Sequence, residues 1–299
     1  SLKHKEYVRV KVGEVGDKLV ASPLARGAGA AMSLVRADGF CVIPQNSEGV
    51  EAGDTVDVEL YRSLEEIGST AVAIGSHDLI LDVMADLLPC MYPGNYLSST
   101  HVGSMGGLMA LKRGEAHLAP THLLDEETGE YNIAILKKLF AGEKMALVKG
   151  VERIQGIIVK KGNPLGIHEI EDLRGLNYVN RQRGAGTRVL FDYKLKEAGI
   201  SSEEIHGYDR EAATHMAVAA AVSGGDADAG MGIQSAARAM GLDFIEVGRE
   251  EYDFAIPVRF LDFPPVQHLL EVLKSREFAE RVEKLGGYGL ARTGEILYL

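Results

Sequence analysis

Hydrophobic and polar positions follow two different rhythms along the chain. In residues 4–62 the period is two. Val8-Arg9-Val10-Lys11-Val12 and Val56-Asp57-Val58-Glu59-Leu60 alternate as half-buried strands do. Leu34-Val35-Arg36-Ala37 and Phe40-Cys41-Val42-Ile43 are apolar runs joined by Asp38-Gly39, which predicts a tight hairpin. Between them, Ser22-Pro23-Leu24-Ala25-Arg26-Gly27-Ala28-Gly29 reads as a loop of small residues. Four or five short strands in under sixty residues predict an all-β domain, a small barrel or a compact sandwich, with no room for a long helix.

From Thr70 the rhythm changes. The apolar run Thr70–Ile74 is followed by Leu79, Ile80, Val83, Met84, Leu87 and Leu88, spaced by three and four as on one helix face. Strand-like segments are expected at 95–100, 116–120, 155–160, 177–180 and 228–231. Helices are expected from Ser104, near Ile133–Leu139, from Thr187, from Arg210 and from Gln234. Such alternation predicts an α/β fold with mostly parallel sheets. The polar stretch Ser63–Ser69 reads as a linker, which divides the chain into 1–62, 63–69 and 70–299.

Composition narrows the partners. Among 299 residues, 32 are Lys or Arg and 43 Asp or Glu, a formal charge of −11 that argues against nucleic acid and against an anionic membrane surface. Any anion must therefore be won by local geometry. Thirty-five glycines, without a collagen-like period, point to many tight turns. Cys41 and Cys90 stand in apolar surroundings and read as reduced, buried thiols. No basic-then-apolar leader opens the chain, and a cytoplasmic address is expected. Ser1-Leu2 reads as an added dipeptide, with the natural sequence cut from something longer.

The candidate chemistry sits where strands hand over to helices, because ligands of open α/β sheets bind beyond the carboxyl ends of strands. Five junctions qualify: Gly75-Ser76-His77-Asp78, Val102-Gly103-Ser104-Met105-Gly106-Gly107, Ala119-Pro120-Thr121-His122, Asn180–Arg188 and Gly230-Met231-Gly232-Ile233-Gln234. Glycines free the backbone, hydroxyls add donors, and the helix dipole favours negative charge at the same point. Charge-assisted hydrogen bonds contribute roughly 1.5–3 kcal/mol each, so several together reach micromolar affinity and one alone does not. The bland reading of Ser76-His77-Asp78 is a helix N-cap. Arg183-Gly184-Ala185-Gly186-Thr187 is the most specific, although it fits neither a Walker A loop nor a dinucleotide fingerprint. Neighbouring Ser76, His77 and Asp78 do not make a hydrolytic triad. His117 and His122 lack the spacing of a helical metal pair, and the acidic turn 126–130 reads as solvated.

Residues 8–61, on Ser22–Gly29, Ala37-Asp38-Gly39 and Ile43-Pro44-Gln45-Asn46-Ser47-Glu48-Gly49, resemble the C-terminal β-barrel domain of the molybdopterin molybdotransferase (molybdenum insertase) family. Residues 70–296, through Gly156–Pro164 followed by Glu171-Asp172-Leu173, resemble a type-2 periplasmic-binding-protein-like domain, similar in layout to molybdate- and tungstate-binding proteins. The resemblance implies a two-lobed clamp, lobe one at about 70–150 and 255–299 and lobe two at about 155–247. The chain would cross near Gly150–Gln155 and return near Glu246–Ala255. It implies an interlobe ligand site built from Ser76, His77, Ser104, Thr121, Arg183, Gly184, Gly186, Thr187, Arg188 and Gly232. The expected ligand is a small oxyanion, molybdate or tungstate, with no catalytic residue, no metal ligand and no other cofactor. The insertase catalytic domains are absent from these residues, so the chain reads as the tail of a longer enzyme or a stand-alone remnant. Those domains, or molybdopterin itself, are candidate partners, and a homodimer is compatible with the resemblance. Two alternatives remain open: a sensor of a pterin or carboxylate, for which Tyr178 and Tyr193 would supply aromatic lining, and part of an enzyme acting on the pterin cofactor.

Overall fold

The period-two segments at the start of the chain pair with one another. In a computed structural model, which describes residues 4–24 and 37–299, β1 (Glu6–Val15), β2 (Lys18–Pro23), β3 (Gly39–Ile43) and β4 (Val58–Leu60) form an antiparallel half-barrel sheet in the order β2-β1-β3-β4. Alternation works as anticipated: Val8, Val10 and Val12 turn inward with Cys41 and Ile43. Most of the expected small-residue loop, and the expected strand over 34–36, lie outside the described residues.

Asp38-Gly39 is not a hairpin turn. Gly39 opens β3, opposite Val10 on one side and Leu60 on the other, and a Cβ there would run into the Glu59 carbonyl oxygen. Asp38 is buried, accepts the Val12 N–H at 2.9 Å and pairs with Arg62 at 3.0 Å. The expected linker is likewise an element. Leu64–Gly68 is a short helix, α1, whose Ser63 and Glu66 form a reciprocal capping box and whose Ile67 is fully buried against the sheet. A capped, anchored segment cannot act as a tether.

The rest of the chain alternates as the sequence predicts. The elements are β5 (Thr70–Gly75), α2 (Leu79–Met91), β6 (Tyr96–His101), α3 (Ser104–Lys112), β7 (Ala119–Thr121), α4 (Ile133–Leu139), β8 (Met145–Val159), β9 (Tyr178–Arg181), α5 (Gly186–Glu197), β10 (Glu211–Ala212), α6 (His215–Gly224), β11 (Ala229–Ile233), α7 (Gln234–Ala239), β12 (Asp243–Pro257), α8 (Pro264–Leu273), α9 (Arg276–Leu285), β13 (Tyr288–Gly289) and β14 (Ile296–Tyr298). The expected helix from Arg210 is instead a two-residue strand, with Thr214 capping the helix that follows. Cys41 is buried, but Cys90 is exposed near the end of α2, on the face away from Leu81, Met84 and Leu88.

The described chain divides into two compact units, 1–120 with 255–273, and 121–254 with 274–299. The division falls at 120/121, not near 150–155, because residues 145–159 form one uninterrupted strand. In the first unit β5 and β6 are parallel, and Leu118 bridges Ala73 in parallel on the other side. The half-barrel packs directly on this layer: a Cβ at Gly13 would collide with Val72, and the Arg62 guanidinium lies over the Tyr96 ring at 5.0 Å. In the second unit, β10-β9-β11-β8-β12 lie side by side. This sheet is mixed and not mostly parallel: β9, β10 and β11 run together, whereas β8 is antiparallel to β11 and takes β13 and β14 as antiparallel partners. Two apolar cores flank it, one around Phe191, Tyr178 and Leu173 and one around Val218, Val222 and Ala237.

Candidate functional site

The parallel strands β9, β10 and β11 of the second unit end at Arg181, Ala212 and Ile233, and each hands over to a helix. Because β8 runs the other way, Gln155 lies opposite Ile233 and Gly156 opposite Gly232. Residues 153–156 therefore sit level with the carboxyl ends of the parallel strands, where α/β sheets bind ligands.

One carboxylate organises this corner. Glu250 lies on β12 on the same face as Tyr252 and Phe254, and its side chain is 2% exposed. Its Oε2 accepts from Arg153 Nη2 at 2.6 Å, Arg153 Nε at 3.0 Å and Gln155 Nε2 at 3.0 Å. Its Oε1 stands 2.6 Å from His122 Nδ1. Thr187 Oγ1, in the first turn of α5, donates to Gln155 Oε1 at 2.8 Å. Burial alone would raise the Glu250 pKa, but the charge of Arg153 and the contacts to His122 outweigh it and bring it down to about 2. Gly186 is required at the start of α5, since a Cβ there would meet Glu250 Oε1 and stand 3.0 Å from His122 Nδ1. Ala185 offers that helix no side-chain cap, which leaves its first turn open to an external acceptor.

Two more groups adjoin, one buried and one half-buried. Arg181 is 8% exposed, and its guanidinium is held by the Ala212 and Ala213 carbonyls at 3.2 Å each. Burial lowers its pKa and the charge of Glu250 opposes that. His215 begins α6. Burial, then the charges of Arg181 and Arg153, push its pKa down to about 3, so the ring is neutral at physiological pH. The guanidiniums of Arg153 and Arg181 against the one carboxylate of Glu250 leave a formal excess of one positive charge here.

The residues singled out from sequence fall into distinct places. Gly186 and Thr187 belong to this corner, as does Gly232, where a Cβ would approach Ile158 Cδ1 to 2.8 Å. Arg188 is buried but committed: it bonds Asp192 Oδ1 at 3.2 Å and the Arg181 carbonyl at 3.3 Å, and lies over the Tyr208 ring at 4.0 Å. Arg183 points to solvent with 81% of its side chain exposed, facing Asp209 and Glu211. Gly184 adopts φ +83° in open space and serves the turn. Thr121 is fully buried and donates to Asn132 Oδ1 at 3.2 Å. Tyr178 is a core residue, stacked on Phe191, its hydroxyl accepting the Met231 N–H at 3.2 Å. Tyr193 lies on α5 with its hydroxyl beside Gly129, so neither ring lines this corner.

In the first unit the junction at Gly75–Asp78 carries a cap. Asp78 Oδ1 accepts the Ile80 N–H at 3.0 Å, which gives the bland reading of that motif its structural form. Ser76 is buried, with its N–H on the Pro120 carbonyl at 3.0 Å. His77 is exposed, 3.3 Å from Asp82 and 4.2 Å, centroid to centroid, from the His101 ring. Ser104 is buried at the start of α3, whose N-cap Gly103 makes no side-chain bond.

Glu250, Arg153, Gln155 and His215 are absent from the sequence-based reading of the site; Arg181 and His122 lie in two of its five junctions but were not among the nominated ligand contacts, and His122 was set aside as a metal ligand. A usable signal was present for Glu250: an acidic residue in register with the apolar face Tyr252 and Phe254. Among the described residues no group of three His, Cys, Asp or Glu side chains is arranged to hold a metal ion, and no helix is long and apolar enough to cross a membrane.

With this geometry in hand, known proteins place the chain. Residues 86–274 match the PBP superfamily domain model, and residues 2–61 match the MoeA C-terminal region (domain IV). The uncharacterized protein YvgK of Bacillus subtilis is 32% identical over 238 residues, 79% of this chain and 76% of that protein. An uncharacterized protein from the 5′ region of a 2Fe-2S ferredoxin gene of Clostridium pasteurianum is 34% identical over 110 residues, 36% of this chain and 97% of that protein. An ABC-type phosphate transport receptor from Vibrio cholerae shares the fold at TM-score 0.54 and 17% identity, over 73% of this chain and 98% of its own. PstS from Borrelia burgdorferi does so at TM-score 0.52 and 14% identity, over 74% and 98%. The chain belongs to the PBP superfamily and carries a MoeA C-terminal-like region ahead of the binding-protein-like fold.

Proposed function

We propose that this protein binds a small oxyanion, with molybdate or tungstate as the ligand, and that it does so within the cell in connection with molybdenum-cofactor synthesis. The observation that carries the reading is the corner at the carboxyl ends of β9–β11. There the buried Arg181 guanidinium, the half-buried Arg153 guanidinium, the Gln155 amide, the Thr187 hydroxyl and the uncapped start of α5 meet around one fixed carboxylate. The excess of positive charge is local, so a chain of net charge −11 can still hold an anion there. The MoeA-like region at residues 2–61 supports the molybdenum connection. That connection makes insertase catalytic domains or molybdopterin the partners to test first.

Glu250 contributes order and not attraction. It fixes Arg153, Gln155 and His122 in place and cancels one positive charge, so the bound anion should be small and singly coordinated by each donor. Calorimetric titration with molybdate, tungstate, sulfate and phosphate tests the reading, and silence toward all four overturns it. Arg181→Ala should weaken binding 10–100-fold, the loss of one charge-assisted contact of roughly 1.5–3 kcal/mol.

A further inference from the structure

Two histidines of this chain, His117 in the core and the half-buried His215, are neutral, and they differ in one respect. His117 is a satisfied core residue: its Nδ1 accepts the Val72 N–H at 2.9 Å, and its ring stacks on Phe263 at 4.5 Å and meets Phe260 edge-on. His215 has its Nδ1 closed off from solvent, with no hydrogen-bond partner among the described residues. Buried polar atoms are nearly always paired, and one left unpaired calls for an explanation.

The surroundings supply one. His215 is the first residue of α6, after the short link Ala213-Thr214 that follows β10, and Arg181 at the end of β9 is clasped by the Ala212 and Ala213 carbonyls. Gly232, at the end of β11, has its ideal Cβ position 3.5 Å from His215 Nδ1. The orphan nitrogen therefore lies where three parallel strands end, beside a buried guanidinium and a position kept bare of a side chain. We propose that His215 is a ligand contact, offering its imidazole Nδ1 to the bound solute beside Arg181 and Arg153. This rests on the reading of the corner as an oxyanion site. A fully ionised tetrahedral anion has only acceptors, so the imidazole proton must then reside on Nδ1 and Nδ1–H donates to an anion oxygen. A neutral donor suits the place, because the formal excess of positive charge already comes from the guanidiniums.

The test uses the full chain, with molybdate as probe. His215→Ala should weaken molybdate binding at least tenfold without changing the thermal midpoint by more than a few degrees. His215→Asn, whose amide nitrogen can stand in for Nδ1, should recover most of the affinity. In ¹⁵N spectra of the wild-type side chains, molybdate should shift the His215 Nδ1 resonance and leave that of His117 unmoved. Wild-type binding together with an indifferent His215→Ala, or with an unmoved Nδ1 resonance, overturns the contact and spares the oxyanion reading. A folded His215→Asn as weak as His215→Ala overturns the hydrogen-bond account. If the wild type ignores molybdate, tungstate, sulfate and phosphate alike, the oxyanion reading falls and the contact with it. Should His215→Ala fail to fold, the Asn variant and the spectra decide.

Discussion

At the scale of single residues, protons report the environment. His117 and His215 have folded pKa values near 4 and 3, whereas an unfolded histidine titrates near 6.5. Below pH 6.5 the unfolded chain binds more protons than the folded one. Stability should therefore fall as pH drops from about 6.5 toward 3–4, and replacing either histidine by Asn should flatten that slope in urea melts. Glu250 acts in a lower window. Its pKa is depressed from 4.5 to about 2, so its contribution is complete above 4.5 and lost as pH falls to 2. Glu250→Gln should remove that part of the acid sensitivity. At Gly186 the constraint is steric: Gly186→Ala should destabilise by about 1–3 kcal/mol through overpacking, and a thermal midpoint unchanged from wild type would show that Glu250 can yield.

At the scale of elements, local signals carried far. Alternation marked β1 and β4, three-and-four spacing marked α2, and the glycine-rich junction at 184–187 marked the start of α5. The same signals failed where a side chain answers to distant neighbours. Asp38-Gly39 has turn composition, yet Asp38 is drawn inside by the Val12 N–H and Arg62, and the chain runs straight on as β3. The stretch 63–69 holds two large apolar residues, of which Leu64 stays exposed and Ile67 anchors it. Ile67→Ala should cost about 2–4 kcal/mol by urea unfolding, against nothing measurable for a solvated tether. Cys90 shows the converse: its neighbours are apolar, but helical geometry turns it outward.

At the scale of the molecule, the second unit is tied together by charges far apart in sequence. Lys149 is 4% exposed and pairs with Asp253 at 2.7 Å and with Glu251. Asp253 also accepts from Asn132 Nδ2 at 2.9 Å, and Asn132 in turn holds the Thr121 hydroxyl. The expected donor Thr121 is thus engaged by a network that reaches across more than a hundred positions. Burial raises the Asp253 pKa although Lys149 opposes it. Lys149→Met should destabilise by about 3–5 kcal/mol at neutral pH, because it leaves the buried Asp253 carboxylate without a cation. The loss should shrink in acid, where protonated carboxylates need no partner; an equal loss at both pH values would argue for packing alone.

Neighbouring residues decide between them the two rhythms, most strands and helices, and the glycine-rich junctions between strands and helices. Periodicity and capping act over four residues or fewer, so they are legible in order along the chain. The occupants of the candidate site depend instead on contacts between residues distant in sequence. Arg153 and Glu250 are 97 positions apart, and Thr187 and Gln155 are 32 apart. Their meeting depends on the antiparallel run of β8 beside β11 and on β12 lying next to it. No local rule encodes that register. A buried charge finds its partner through the fold: the register of Glu250 with Tyr252 and Phe254 marks it as inward-facing, but nothing near it in sequence names Arg153 or His122.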